Sequence, residues 1–176
     1  MTLLIIFLLL MIPIGLIGGY HHYKVMISPL YDSENTLLNY EILGTGKKKI
    51  ILLHGLTGSL NYWKRDLKNI THTHSLLLID LLGFGNSPKP KSKYSLAIQL
   101  NELEKIIAQE GYNDGETTVA GHSMGAIISL ALLEKQPTWF KAGIFISIPV
   151  YKNADEFKEI MSSHSFVDRI STSKFS

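Results

Sequence analysis

Gly121-His122-Ser123-Met124-Gly125 joins a β-rich stretch, Glu116 to Ala120, directly to a helical one, Ala126 to Lys135, with no loop between them. A strand-to-helix reversal that sharp forces its central residue into a strained conformation, and glycines flank it because side chains there would collide. The junction therefore restricts the chain to folds in which a strand runs straight into a helix start. It also exposes the Ser123 hydroxyl at the carboxyl end of a sheet, where open parallel sheets bind ligands. An ordinary glycine-bounded turn with a surface serine is the bland alternative, and the strand–helix context argues against it.

The flanking pattern agrees. Thr36 to Leu43 alternates over part of its length as a strand, closed by Gly44-Thr45-Gly46. Lys49 to His54 and Ser75 to Asp80 are short apolar runs, as expected of strands buried on both faces. Tyr94 to Glu110 has apolar residues at helical spacing: Leu96, Leu100, Leu103, Ile106 and Ile107. Thr117 to Ala120 is a further strand, Ala126 to Lys135 a helix, and Lys141 to Ile148 the last strand. This alternation predicts an α/β domain, a predominantly parallel sheet with flanking helices.

Composition narrows the chemistry. The chain has 176 residues and no cysteine, which excludes disulfides, thiolate zinc sites and a cysteine nucleophile. A formal net charge of +2 is too mild to argue for a nucleic-acid partner. All 32 charged side chains lie beyond residue 23. Residues 3–19 carry no polar side chain, and Thr2 to Tyr23 would extend about 33 Å as a helix, enough to cross a hydrocarbon core. The aromatic cluster Tyr20, His21, His22 and Tyr23 beside Lys24 suits the headgroup zone. We expect a single-pass N-terminal transmembrane helix over 1–23, with a cleaved signal peptide and secretion as the alternative. The basic n-region and small-residue cleavage site of a signal peptide are missing. Residues 24–35 read as a linker, 36–148 as a partial α/β core, and 149–176 as the start of a lid or tail.

Two more segments sit at strand ends. His54-Gly55-Leu56-Thr57-Gly58-Ser59 follows the Lys49 strand, and its glycine lets the backbone turn a free N–H toward the nucleophile. The N–H groups of Leu56 and Met124 would form an oxyanion hole. His54 as a metal ligand lacks partners at suitable spacing. Asp80-Leu81-Leu82-Gly83-Phe84-Gly85-Asn86-Ser87-Pro88 follows the Ser75 strand. It is incomplete as a dinucleotide fingerprint, and a tight loop with Asp80 bonding backbone amides is the better reading.

HGLTGS, DLLGFGNS and GHSMG, in this order, resemble the motifs of the α/β-hydrolase fold superfamily, over about residues 36–148. The resemblance implies Ser123 as nucleophile, oxyanion N–H groups from Leu56 and Met124, and structural or pocket-shaping roles for His54, Asp80 and His122. It implies a serine hydrolase acting on a small acyl ester or lipid, without cofactor or metal. A serine at this position argues against the branches that use aspartate there.

A serine nucleophile needs a histidine base, oriented by an acid that precedes it in chain order. After Ser123 the only histidine is His164, and Asp155, nine positions before it with no strand between, satisfies the order. The sheet before Pro149 has fewer strands than the fold it resembles, and its last strand would keep an apolar edge. The expectation is a C-terminally incomplete, inactive hydrolase whose remainder lies in a longer product or a partner chain. A non-catalytic remnant, or a minimal hydrolase using Asp155 and His164, are the alternatives.

Overall fold

The computed structural model describes residues 29–64, 67–92 and 94–150. The expected transmembrane segment, Asp155 and His164 lie outside these residues. Among the described residues, no helix is long and apolar enough to cross a membrane.

Five strands form one sheet: β1 (Tyr40–Leu43), β2 (Lys48–Leu53), β3 (His74–Ile79), β4 (Thr117–His122) and β5 (Phe140–Ile146). The helices are a short α1 (Asn61–Lys64), α2 (Leu96–Gln109) and α3 (Met124–Lys135), with a 3-10 turn at Lys68–Ile70. The spatial order is β1-β3-β2-β4-β5. Strands β2, β3, β4 and β5 are parallel, and β1 runs antiparallel beside β3. The α/β architecture with a mostly parallel sheet is therefore as the alternation predicts.

The apolar runs are continuous because each central strand has two buried faces. Ile51, Leu53, Leu77, Ile79 and Val119 face one side, packed with Leu103, Ile106 and Ile107 of α2 and Ile128 and Leu132 of α3. The alternate residues Leu52, Leu76, Leu78 and Ala120 face the other side, against Leu60 and Trp63. Helix α2 begins at Ser95, whose hydroxyl accepts the Ile98 N–H, and buries a stripe at helical spacing.

Two of the boundary differences from the sequence expectation have a visible cause, and the other ends lie within two residues of it. The first strand starts at Tyr40 rather than Thr36. Asp32 accepts the Glu34 N–H and the Asn35 side-chain amide, while the Thr36 hydroxyl donates to its carbonyl. Asn39 then gives its N–H to the Ser87 hydroxyl instead of a neighbouring strand. These local bonds compete with the ladder. The last strand stops at Ile146, because Ser147 turns to φ +49°. Helix α1 and the 3-10 turn have no counterpart in the sequence reading, being too short to show an apolar period.

Residues 29–33 lie against the domain. Lys91 donates its N–H to the Pro29 carbonyl at 2.8 Å, the Tyr31 hydroxyl bonds the buried Glu102 carboxylate, and Lys105 bonds the Ser33 carbonyl. Burial, with the Glu102 hydrogen bond second, pushes the Tyr31 phenol up to about 12.

Candidate active site

Ser123 occupies the single position between the last residue of β4 and the first of α3, at φ +52° and ψ −116°. That is a backbone region that side-chain-bearing residues rarely enter, with a cost of order 1–3 kcal/mol. The turn is held by the Ser123 N–H donating to the Ile146 carbonyl at 2.9 Å, which ties it to the end of β5. The flanking glycines are needed for close approach. A Cβ on Gly121 would come within 2.2 Å of the Gly125 carbonyl oxygen, and one on Gly125 within 2.4 Å of the Leu53 carbonyl oxygen. The helix start thus passes directly over the end of β4 and against the end of β2.

The loop after β2 packs on this turn: a Cβ built on Gly55 would lie 3.2 Å from Ser123 Cβ. Among the described residues, the backbone N–H groups of Leu56 and Met124 and the Ser123 hydroxyl form no hydrogen bond. Ser123 is partly exposed, and the N-terminus of α3 adds positive potential at this turn.

His54 is fully buried, and both its nitrogens are committed. Nδ1 donates to the Gly55 carbonyl at 2.8 Å, and Nε2 accepts the Leu81 N–H at 3.1 Å. These partners fix a neutral tautomer. Burial lowers the His54 pKa below 6.5, outweighing the Gly55 hydrogen bond and the Asp80 charge. The ring links the loop after β2 to the loop after β3 and leaves no nitrogen for proton transfer with Ser123.

Asp80, also buried, holds three segments at once. Its Oδ1 accepts the Leu60 N–H at 2.6 Å, and its Oδ2 accepts the Asn39 side-chain amide and the Asn86 N–H, each at 2.8 Å. The Ser87 hydroxyl donates to the Asp80 carbonyl. Gly85 is pressed against the carboxylate, since a Cβ there would lie 2.2 Å from it. Asp80 therefore bonds backbone amides as its sequence context suggests. His122 stacks on the half-exposed Tyr62, with ring centroids 5.2 Å apart.

Two other features were missed by reading the sequence. Gln99 is buried on α2 and clamps Leu82: its Oε1 accepts the Leu82 N–H at 3.1 Å, and its Nε2 donates to the Leu82 carbonyl at 2.9 Å. Its place among the buried residues of α2, one position before Leu100, was the available signal. The second feature is a cavity of about 290 Å³ whose wall includes Met124, the residue after Ser123. Among the described residues no cluster suited to a metal ion occurs. No histidine–carboxylate pair there is free to serve Ser123 either, because the His54–Asp80 contact of 4.0 Å is spent on the loops.

Comparison with known proteins places this geometry. "Probable lysophospholipase BODYGUARD 3" of Arabidopsis thaliana is 32% identical over 112 residues, covering 61% of this chain and 22% of that protein. "Lipase 3" of Moraxella sp. (strain TA144) is 35% identical over 94 residues, covering 53% and 29%. The chain thus spans between about a fifth and a third of the length of these relatives. Among solved structures, MGS-M2, an alpha/beta hydrolase enzyme from a deep-sea metagenome library, superposes with a TM-score of 0.64 at 26% identity, over 76% of this chain and 48% of that one. A marine microorganism esterase shares the fold, with a TM-score of 0.62 at 20% identity, over 78% and 52%. The family model for the alpha/beta hydrolase fold matches residues 48–168, and the chain belongs to that family.

Proposed function

We propose that this chain carries the nucleophile and oxyanion groups of a serine hydrolase acting on ester-like carbonyls, carboxylic esters or lipids. The observation that carries the reading is Ser123 at φ +52° at the carboxyl end of the sheet, its hydroxyl unengaged and the N–H groups of Leu56 and Met124 unengaged nearby. In the proposed step, Ser123 Oγ attacks the carbonyl carbon and gives its proton to a base. The negative charge of the tetrahedral intermediate rests on the two N–H groups. On collapse the C–O bond to the leaving group breaks, the protonated base gives its proton to the departing alcohol oxygen, and the acyl-enzyme that remains is hydrolysed by water.

The base and its orienting acid come from outside the described residues. Within this chain Asp155 and His164 are a pair in the required order. A further segment or a partner chain could supply them instead. The names of the relatives, a lysophospholipase and a lipase, favour a lipid ester. An uncharged stretch over residues 3–19 would hold the site at a bilayer, where such substrates lie.

A second reading, a non-catalytic remnant that only binds a ligand at the elbow, is favoured by the commitment of both His54 nitrogens. Labelling by a fluorophosphonate probe separates the two. We expect covalent labelling of the full chain, abolished in Ser123→Ala, with the labelled chain in the alkali-washed membrane fraction. A labelling rate no higher than that of Ser123→Ala would establish the remnant reading. Loss of labelling in His164→Ala would identify the base.

A further inference from the structure

The loop between β3 and α2 carries charge of one sign. From Leu81 to Asn101 the sequence holds three lysines, Lys89, Lys91 and Lys93, and no acid. Lys89 spends its ammonium on the backbone carbonyls of Gly85 and Ser87, at 2.6 and 3.2 Å, so among the described residues no carboxylate cancels its charge. Helix α2 then opens with no acidic residue in its first turn. The acids nearest to Leu30 along the chain are Asp32 and Glu34. Asp32 is turned onto its own segment by the Glu34 N–H and the Asn35 amide.

Apolar side chains project from the same place. Leu30 forms a parallel bridge with Lys91 and is 78% exposed. Leu96, the first residue of α2, is 44% exposed and borders the same cavity as the exposed Ile127 of α3. Large apolar side chains left in water beside lysines suit a lipid surface, where the cations meet headgroup phosphates and the hydrocarbon goes beneath them.

Residues 29–33 also fix where the chain enters the domain. Lys91 gives its N–H to the Pro29 carbonyl, the Tyr31 hydroxyl bonds Glu102, and Lys105 bonds the Ser33 carbonyl. The entry point is therefore tied to the β3–α2 loop and to α2. Five residue steps separate Pro29 from Lys24, the first charged side chain. They reach at most about 18 Å, less than the ~30 Å width of a small domain. With residues 3–19 in a bilayer, a tether that short keeps this loop close to the lipid surface.

We propose that Leu30, Lys89, Lys91 and Leu96 form a docking surface for an anionic lipid bilayer. This surface presupposes the bilayer location proposed for residues 3–19, and it adds which face of the domain meets the lipid.

The chain has no cysteine, so one introduced cysteine carries a single bimane label. The full chain is reconstituted in vesicles of brominated phosphatidylcholine, alone or mixed with phosphatidylserine, and quenching reports lipid contact. We expect labels at Leu30→Cys and Leu96→Cys to be quenched in the anionic vesicles. A label at Lys141→Cys, at the amino end of β5, should stay unquenched. Each lysine near an anionic surface is worth roughly a fivefold gain in docking. Lys89→Gln, which keeps a donor for the loop carbonyls but no charge, should therefore lower the docked-to-free ratio by about that factor. Omitting phosphatidylserine should lower it further.

Labels unquenched at both positions, in a chain that co-sediments with the vesicles, would keep the bilayer location and overturn the surface. Quenching indifferent to phosphatidylserine and to Lys89→Gln would overturn the electrostatic contact. Equal quenching at Lys141→Cys would overturn the assignment to this face. Labels shielded from aqueous iodide yet untouched by brominated lipid would overturn it in favour of residues 151–176 or a second copy of the chain. A chain that stays in solution would overturn the surface and the bilayer location together. Fluorophosphonate labelling of Ser123 in the same vesicles tests the nucleophile alone, whichever of these results is obtained.

Discussion

Ser123 shows what one residue contributes to this fold and what it costs. Its φ of +52° is a strained choice for a side chain that makes no hydrogen bond in return among the described residues. Strain of this kind persists where surrounding contacts over-determine it, and here the Ile146 carbonyl, Gly121 and Gly125 do so. The prediction follows at this scale. Ser123→Gly relieves the strain that Ser123→Ala retains, so Ser123→Gly should be the more stable of the two by about 1 kcal/mol in urea unfolding, although both remove the hydroxyl. Equal midpoints would mean that the turn is not strained in the folded chain. The motif itself was legible from Gly121, Ser123 and Gly125 because only glycine fits where backbones nearly touch. The reach of those contacts, to the ends of β2 and β5, was not, because it depends on strands distant in sequence.

At the scale of elements, the strands and the two long helices were readable from period alone: Leu76 to Ile79 as a fully apolar run, and Leu100, Leu103, Ile106 and Ile107 as a helical stripe. The loops between them were less so. Their order comes from buried side chains that bond backbone: Asp80 to Leu60 and Asn86, Gln99 to Leu82, and His54 to Gly55 and Leu81. His54 gives this network a pH dependence. Its folded-state pKa is depressed below 6.5 by burial, so the unfolded chain binds its proton first as pH falls. The stability that the neutral ring contributes is complete above 6.5 and is lost as pH drops toward the folded-state value. Urea unfolding above and below 6.5 should therefore show a loss of stability on the acid side that His54→Gln, which cannot ionise, largely removes. An unchanged pH slope in His54→Gln would assign the effect to another group.

Over the whole molecule, the two sides of the sheet are unequally covered. Helices α2 and α3 pack one side, while the short α1 and the 3-10 turn pack the other. The β4–β5 register sets Ile144 beside Ala120 and Ile146 beside His122, on that thinly covered side. Ile144 and Ile146 are 49% and 41% exposed, next to the exposed ring of Tyr62. Among the described residues β5 pairs with β4 alone, so an apolar strip lies at the sheet edge. Such a strip promotes association. Ile144→Lys should lower the self-associated fraction seen by light scattering while leaving the fold unchanged, because the site is half exposed. Unaltered association would exclude this strip as its source.

The sequence by itself determined the order of strands and helices, the elbow serine and the family resemblance, because these depend on short-range periodicity and on steric rules for glycine. Tertiary structure alone decided that His54 is locked neutral, that Gln99 is spent on the backbone, and which amides Asp80 holds. It also decided that an apolar cavity opens beside Met124. Each of these rests on contacts between residues that are distant along the chain, where a side chain's role is set by the partners that folding brings to it rather than by its neighbours in sequence.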